Sequence, residues 1–434
     1  MFFFSCQKET IDSFSAGTPC SNDVTISDLG LYIHAVKNIP KTKSADILVE
    51  PVCDRGDTLL YIVNYEKGWE VLTADRRAPR VVAFAESGSF DYEDLSSNPA
   101  VKAVYDGVIN QIRFLKRNPD LKPEKEYNDW DDVRQITENE SWVLISTETE
   151  EVDQYVKDHL TETRWGQGSP WNNRSPFTTP SHTTHCYTGC GPVAAAQVLH
   201  YLHDYLGVPE KTYGDCINNT NILPGRDSLV LEDGDVFFPS ATFLPYIWDL
   251  MPLTKVDSSS YFCSVSALMV HLGLLTGSEY YSNHTSTYMS RIRSTFSNSF
   301  QIGYSYVPYY SASTMYNSVH DNSPCLLLIA AYTDNPDGTT TRNGHFIIAD
   351  ACRKTIQRIT RTYVWNSLLY GPQYKTEVTY GATKTYFGFN WGWEETGMTS
   401  GGSTIWYNSQ IVSWSSGGYN FTQVEGMMFD FYAM

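Results

Sequence analysis

Basic residues are scarce in this chain: 31 Lys and Arg stand against 49 Asp and Glu over 434 residues, leaving a formal net charge of −18. A surface of that sign repels phosphate backbones and anionic membranes, so no nucleic-acid partner is expected. Long hydrophobic runs are missing as well. No window reaches the ~18 consecutive apolar residues of a spanning helix, so no transmembrane helix is expected; runs such as Leu326 to Tyr332 have the length of buried strands. Paired CxxC motifs are absent too. The nine cysteines, Cys6, Cys20, Cys53, Cys186, Cys190, Cys216, Cys263, Cys325 and Cys352, are odd in number and scattered. They give no disulfide framework, and the spacing of Cys186 and Cys190 has no matching second pair, so neither a metal nor a cofactor is expected.

Apolar bulk, by contrast, is plentiful. Hydrophobic residues make up 41% of the chain, with 30 Tyr, 20 Phe and 11 Trp, enough for sizeable cores. At ~150 residues per domain the length suggests two or three domains. The start, Met1-Phe2-Phe3-Phe4-Ser5-Cys6, reads as the end of a lipoprotein signal: an apolar run, a small residue, then a cysteine that would carry the lipid. Residues 1–22 are therefore expected to be a truncated signal and tether with its anchor at Cys6, with a simple disordered tail as the alternative. That implies export from a bacterial cell, as an outer-membrane lipoprotein, periplasmic or secreted.

Residues 23–160 have a pattern of their own. Leu59 to Tyr65 and Trp69 to Thr73 alternate about the turn Glu66-Lys67-Gly68 and predict a β-hairpin. Val81 to Ala85 predicts a third strand. Asn98-Pro99-Ala100 opens a segment through Lys116 in which Val101, Val104, Val108, Ile109, Ile112 and Leu115 recur at helical spacing. From about 117 to 163 the chain turns polar and acidic, the composition of an exposed, protease-accessible connection. The remainder, 161–434, has its strongest helix early and most of its strands late, which predicts an α+β domain of two lobes.

The chemistry concentrates at Thr188-Gly189-Cys190-Gly191-Pro192, which runs into Val193-Ala194-Ala195-Ala196-Gln197-Val198-Leu199. The Ala-rich stretch favours helix and Pro192 fits its first turn, so Cys190 belongs at a helix N-terminus. There the helix dipole and unpaired N–H groups favour thiolate over thiol. A small buried structural cysteine is the plainer alternative. A thiolate nucleophile needs an imidazole. Of the ten histidines, His200 and His203 lie on the same helix and His182 and His185 are close in sequence. His345, after Asn343-Gly344 and before Phe346-Ile347-Ile348-Ala349, sits at the edge of a predicted buried strand. Arg164-Trp165-Gly166-Gln167-Gly168 offers an amide for an oxyanion, and Asn390-Trp391-Gly392-Trp393 ends a strand beyond His345. Aromatic packing around glycine turns would also account for either string.

The order Gln167, Cys190, His345, Asn390-Trp391 resembles the streptopain family of papain-like cysteine proteases. The matching segments are 165–172, 188–197, 344–349 and 390–393, together with Tyr246-Ile247-Trp248-Asp249-Leu250-Met251-Pro252. The N-terminal strings Leu60 to Tyr65, Gly68 to Ala78 and Gly88-Ser89-Phe90 look like the family's propeptide. The resemblance implies a papain-like two-lobed protease domain at 161–434, preceded by an α+β inhibitory prodomain that is cut away within the acidic connection. It implies Cys190 as nucleophile, His345 as base, Gln167 as oxyanion donor, Asn390 and Trp391 as the imidazole's orienting surroundings, and Gly189, Gly344 and Trp393 in the substrate cleft. Protein or peptide substrates, and the chain's own propeptide as inhibitor, follow as partners. Departures from the family pattern are Gly191-Pro192 after the nucleophile, the long interval between Asp350 and Tyr386, and Glu394-Glu395 after Trp393. Two rival readings stand beside the peptidase: a Cys-His amidase or peptidoglycan hydrolase, and a catalytically dead surface binding protein on the same fold.

Overall fold

The computed structural model describes residues 22–33, 47–92, 99–122, 129–130, 143–178, 184–218, 229–230, 236–237, 245–255, 262–281, 284–334, 340–367, 371–395, 398–410, 415–416, 419–420 and 423–434. Residues 1–21 of the signal and tether expected at 1–22, Cys6 among them, His182, and residues 123–128 and 131–142 of the expected connection lie outside the described residues. The chain forms two compact units. One comprises Met1–Val156, Cys352–Phe387 and Thr399–Phe421, the other Lys157–Ala351, Gly388–Met398 and Thr422–Met434. Among the described residues no helix is long and apolar enough to cross a membrane.

The first unit opens on helix α1 (Ile26–Leu31), whose first turn is closed by a capping box between Thr25 and Asp28. Strands β1 (Leu48–Asp54), β2 (Asp57–Asn64), β3 (Trp69–Thr73) and β4 (Val81–Ala85) follow as an antiparallel meander. The predicted hairpin is β2–β3. Helix α2 (Pro99–Arg117) has proline in its first position and Lys116 and Arg117 in its last turn, where they complement the dipole. Its Val101, Val104, Tyr105, Val108, Ile109, Ile112 and Leu115 are all buried, the one-sided face that the sequence period called for. Phe90 stacks between Trp69 and Tyr105, with ring centroids 4.6 and 5.2 Å away.

Strand β5 (Val143–Lys157) occupies the stretch expected to be an exposed connection. The order along the rest of the chain is α3 (Cys190–Leu206), α4 (Tyr213–Asn218), the short pair β6 (Leu229–Val230) and β7 (Val236–Phe237), α5 (Phe262–Leu275), the short pair β8 (Glu279–Tyr280) and β9 (Thr285–Ser286), α6 (Met289–Ser299), β10 (Ile302–Val307), α7 (Ala312–His320), β11 (Cys325–Asp334), β12 (Thr340–Ser367) and β13 (Gly371–Asn390). Two further short pairs, β14 (Thr399–Ser400) with β15 (Ser403–Thr404) and β17 (Ser415–Ser416) with β18 (Tyr419–Asn420), flank β16 (Trp406–Asn408), and β19 (Gln423–Ala433) ends the chain. The fold is α+β, as expected.

In the second unit β11 lies between β12 and β19, with β10 on the far side of β19, all antiparallel. Helix α3 is buried on almost every side. Its Val193, Ala194, Ala195, Val198, Leu199 and Leu202 share one core with Leu268, Met269 and Leu272 of α5, Ile292 and Phe296 of α6, and Leu326, Phe346, Ile348 and Met428 of the sheet. A helix so enclosed needs alanines, because neighbours approach it from all directions.

In the first unit β16 pairs with β4 and with β13, and β5 pairs with β12. The polar composition of β5 is answered across the strands. Arg353 pairs with Asp153 and Glu86, Arg358 with Glu150, and Lys384 with Glu151. A charged sequence without an apolar stripe reads as solvated chain; here its charges are spent on cross-strand partners. The long interval after Asp350 is likewise β structure, the extended arms of β12 and β13.

Ile112 is fully buried on the inner face of α2. Ile112→Ala is expected to destabilise the first unit by about 2–5 kcal/mol, read from the denaturant midpoint of the full chain; a loss below about 0.5 kcal/mol would show that this face of α2 carries no core.

Candidate active site

Every residue that the sequence singled out for chemistry lies in the second unit. Cys190 is the first residue of α3, so its N–H has no intrahelical acceptor. The N-cap Gly189 holds φ at +91°, and a Cβ there would come within 2.8 Å of Thr285 Cγ2. Only glycine supplies both the backbone and the space. Gly191, one of the departures from the family pattern, has a spatial reason as well, since a Cβ would lie 2.8 Å from Thr287 Cβ.

His345 reaches the site from β12, opposite Ile329 of β11. Cys190 and His345 are both half-buried, and their side chains lie close enough for each to act on the other's charge. His345 Nε2 lies 2.9 Å from the Trp391 carbonyl oxygen. A carbonyl can only accept, so Nε2 carries the proton and Nδ1 is left to face the sulfur. Burial pushes the Cys190 thiol up. The His345 charge, the hydrogen bond from its ring and the N–H groups of Phe346 and Gly191 outweigh burial and hold the thiol below its ordinary value. Burial pushes His345 down, yet the charge and hydrogen bond of Cys190 and the Trp391 carbonyl leave it above the usual imidazole value. Both shifts move the pair towards thiolate and imidazolium.

Gln167 is buried, and its carbonyl accepts from the Thr188 N–H at 3.0 Å and the Thr188 hydroxyl at 3.3 Å. That ties the Gln167 segment to the residues just before Cys190. Its side-chain amide makes no hydrogen bond to a described residue, which leaves its N–H available to a substrate oxygen. Trp165 anchors the same segment by donating from its indole to the Pro252 carbonyl at 2.7 Å. Within the Tyr246–Pro252 string Trp248 is buried and opens a short 3-10 turn.

Asn390 does not touch the imidazole. Its amide is bonded to Gln197 in both directions, at 2.9 and 3.2 Å, and also to the Thr161 hydroxyl, the Thr163 carbonyl and the Gly392 N–H. Trp391 meets the imidazole through its backbone, while its indole is buried edge-on against Phe389. Gly344 is exposed beside the Arg342 guanidinium, which pairs with Glu425. Trp393 is half-buried, edge-on to the exposed ring of Tyr187 at 5.8 Å. Glu394, another departure, accepts from the Trp171 indole at 3.3 Å and pairs with Lys255 at 3.5 Å.

Among the described residues one trio, His203, Asp204 and Asp249, brings three metal-ligating groups together. It lies away from Cys190, at the far end of α3, and His203 Nδ1 already contacts the Val208 carbonyl at 2.5 Å. Among the described residues Cys190 and Cys216 are free thiols.

The family model described as the Peptidase C10 family matches residues 165–401, a span that takes in Gln167, Cys190, His345, Asn390 and Trp391. The chain belongs to the Peptidase C10 family. Streptopain of Streptococcus pyogenes is 23% identical over 249 residues, covering 54% of this chain and 53% of the relative; streptopain of serotype M1 gives the same values. The chain thus spans about half the length of the curated relatives it matches. A solved fragment, residues 39–359 of a mutant prointerpain A from Prevotella intermedia, is similar in fold, with a TM-score of 0.51 at 15% identity over 88% of this chain and 97% of that one. The fold of this C10 chain is therefore that of the prointerpain A fragment.

Gln197 is the polar residue that sequence reasoning passed over, quoted there only as part of a helical motif. Its signal was available: an amide amid Val, Ala and Leu on a helix buried all round has to find polar partners inside the core. For the Cys190–His345 contact the expected result of His345→Ala is a thiol that ionises at higher pH, because burial then acts with less opposition. Alkylation of Cys190 against pH, followed by peptide mapping so that the other cysteines are kept apart, measures this; an unmoved midpoint would show that His345 does not set the thiol.

Proposed function

We propose that this chain is a cysteine endopeptidase made as an inactive zymogen, with Cys190 as nucleophile and His345 as its acid–base partner. The observation that carries this reading is the approach of the Cys190 thiol to a His345 ring whose Nε2 is held by the Trp391 carbonyl. Membership of the Peptidase C10 family supports it.

In the reaction the thiolate attacks the scissile carbonyl carbon, and the electron pair of the C=O bond moves onto oxygen. The Gln167 amide and the Cys190 N–H stabilise that oxyanion. Collapse of the tetrahedral adduct breaks the C–N bond; the proton on His345 Nδ1 passes to the leaving amine, and a thioester to Cys190 remains. Neutral His345 next takes a proton from water as the water oxygen attacks the thioester. The acid product departs and the thiolate–imidazolium pair is restored. The Trp391 carbonyl keeps the ring in one orientation through both proton transfers, since Nε2 stays its donor throughout.

Residues 23–160 serve as the inhibitory propeptide and 161–434 as the enzyme, a division that the likeness to a chain described as prointerpain A supports. Residues 1–22 act as signal and tether, with Cys6 as the lipid attachment point of an exported protein. Its substrates are proteins or peptides.

Incubation of the full chain with and without an epoxide thiol-protease inhibitor, followed by mass spectrometry, tests activity, nucleophile and cleavage position together. Self-cleavage that stops on labelling of Cys190 is expected, along with an unprocessed Cys190→Ser variant. Gln167→Ala should lose ~10²–10³ in kcat. Hydrolysis of muropeptides in place of casein, or maturation of Cys190→Ser without added protease, would overturn the proposal.

A further inference from the structure

We propose that Gln197 is a positioning residue of this site: through its reciprocal amide pair with Asn390 it fixes the nucleophile-bearing helix α3 against the turn whose Trp391 carbonyl holds the His345 ring. The proposal rests on the peptidase reading of Cys190 and His345.

Gln197 lies about two turns beyond Cys190 on the same helix, with no exposed surface, and Asn390 is 1% exposed. Amides so enclosed keep whatever partners the fold gives them, and here main-chain groups of fixed polarity set both. The Trp165 N–H donates to Gln197 Oε1 at 3.2 Å, so that atom is the acceptor and Nε2 the donor. The Gly392 N–H donates to Asn390 Oδ1 at 3.1 Å, while Asn390 Nδ2 donates to the Thr163 carbonyl at 3.1 Å. With both amides oriented from outside, their mutual bonds run Gln197 Nε2 to Asn390 Oδ1 and Asn390 Nδ2 to Gln197 Oε1.

Three strands of chemistry meet at this pair. Helix α3 brings the sulfur. The Asn390-Trp391-Gly392 turn brings the carbonyl that orients the imidazole, and Asn390 Oδ1 clamps that turn across the peptide units flanking Trp391. The segment from Thr163 to Gln167 brings the oxyanion amide, held at Trp165 by Gln197 and at Thr163 by Asn390. Neither Gln197 nor Asn390 touches the reacting atoms. A displaced pair would leave each catalytic group intact and change their spacing, and a misplacement of ~1 Å costs on the order of 10²-fold in turnover.

The test exchanges the two side-chain lengths. Gln197→Asn and Asn390→Gln each spoil the fit, while the double exchange keeps two facing amides and the same summed length. Each folded single variant is expected to lose ~10–100-fold in kcat on a fluorogenic peptide, with KM close to wild type. Cys190 alkylation in the full chain should shift to higher pH in the singles, and the double exchange should recover most of both effects. Near-UV circular dichroism and thermal melting establish folding, and Gln197→Leu serves as a second probe of equal volume class. A folded Gln197→Leu with wild-type kcat and alkylation profile would overturn the proposal, as would a double exchange no better than the product of the singles. A wild-type Cys190 that alkylates like an ordinary thiol in a chain that cleaves no peptide removes the peptidase reading, and this proposal with it. A depressed wild-type profile beside unaltered variants removes the positioning role alone.

Discussion

The contact between Cys190 and His345 joins two half-buried groups that burial alone would keep neutral. Two unit charges about 4 Å apart attract by ~4 kcal/mol at an effective dielectric of ~20, and taking such charges out of water costs several kcal/mol per ion. The two effects are comparable, so further groups decide the balance. Two N–H groups, from Phe346 and Gly191, point at the sulfur, and the Trp391 carbonyl accepts from the ring. All three are main-chain groups and need no side-chain entropy to hold them. The ionised pair therefore depends on how strand β12, the first turn of α3 and the turn after β13 are set against one another, and a change in any of those elements would act on the thiol without touching it.

That dependence explains the density of buried polar bonds behind the site. His159 Nδ1 sits 2.6 Å from the Asp350 carboxylate, which also accepts from the N–H and hydroxyl of Thr161; Asn390 bonds that hydroxyl, and Gln197 bonds Asn390. A single missing partner in such a chain leaves a buried group unsatisfied at about 1–3 kcal/mol. Apolar packing would fill the same space as stably, but it slides; hydrogen bonds between groups of fixed polarity set register. The network lies where register matters most, between the helix that brings the sulfur and the segments that bring the ring's acceptor and Gln167.

Much of this was legible in the sequence where a local rule coincides with a tertiary one. The β2–β3 hairpin, α2 and α3 follow from alternation, helical period and an Ala-rich run after Gly-Cys-Gly-Pro. Cys190 and His345 could be paired because the chemistry of a thiolate demands an imidazole, and the structure brings them together. Strand β5 was not legible, since its side chains are satisfied by Arg353, Arg358 and Lys384 far away in sequence. The way Asn390 acts was hidden for a related reason. An asparagine after a strand and near a histidine suggests a side-chain contact with the ring, but here the amide turns away to Gln197 and the next residue's carbonyl takes its place. A sequence displays side chains; a backbone carbonyl as functional group becomes visible only with coordinates.

The composition of the first unit bears on how such a zymogen would mature. Its N-terminal strands share that unit with 352–387 and 399–421, segments that belong in sequence to the proposed enzyme. Strand β4 pairs with β16 through Phe84 opposite Trp406 and Ala83 opposite Tyr407, and the Phe84 ring stands edge-on to Tyr386 at 5.2 Å. The Trp69 indole donates to the Ser400 hydroxyl, and the Asn408 amide to the Val81 carbonyl. Removal of residues 23–160 would strip β16 of one ladder partner and uncover Trp406, Tyr407 and Tyr386, all now buried. An open edge flanked by aromatic rings is a poor surface to leave in water. Cutting the chain is then only part of maturation: while β4 stays paired with β16, the severed N-terminal piece remains bound, and its dissociation requires that the 352–387 and 399–421 segments repack or find a new cover.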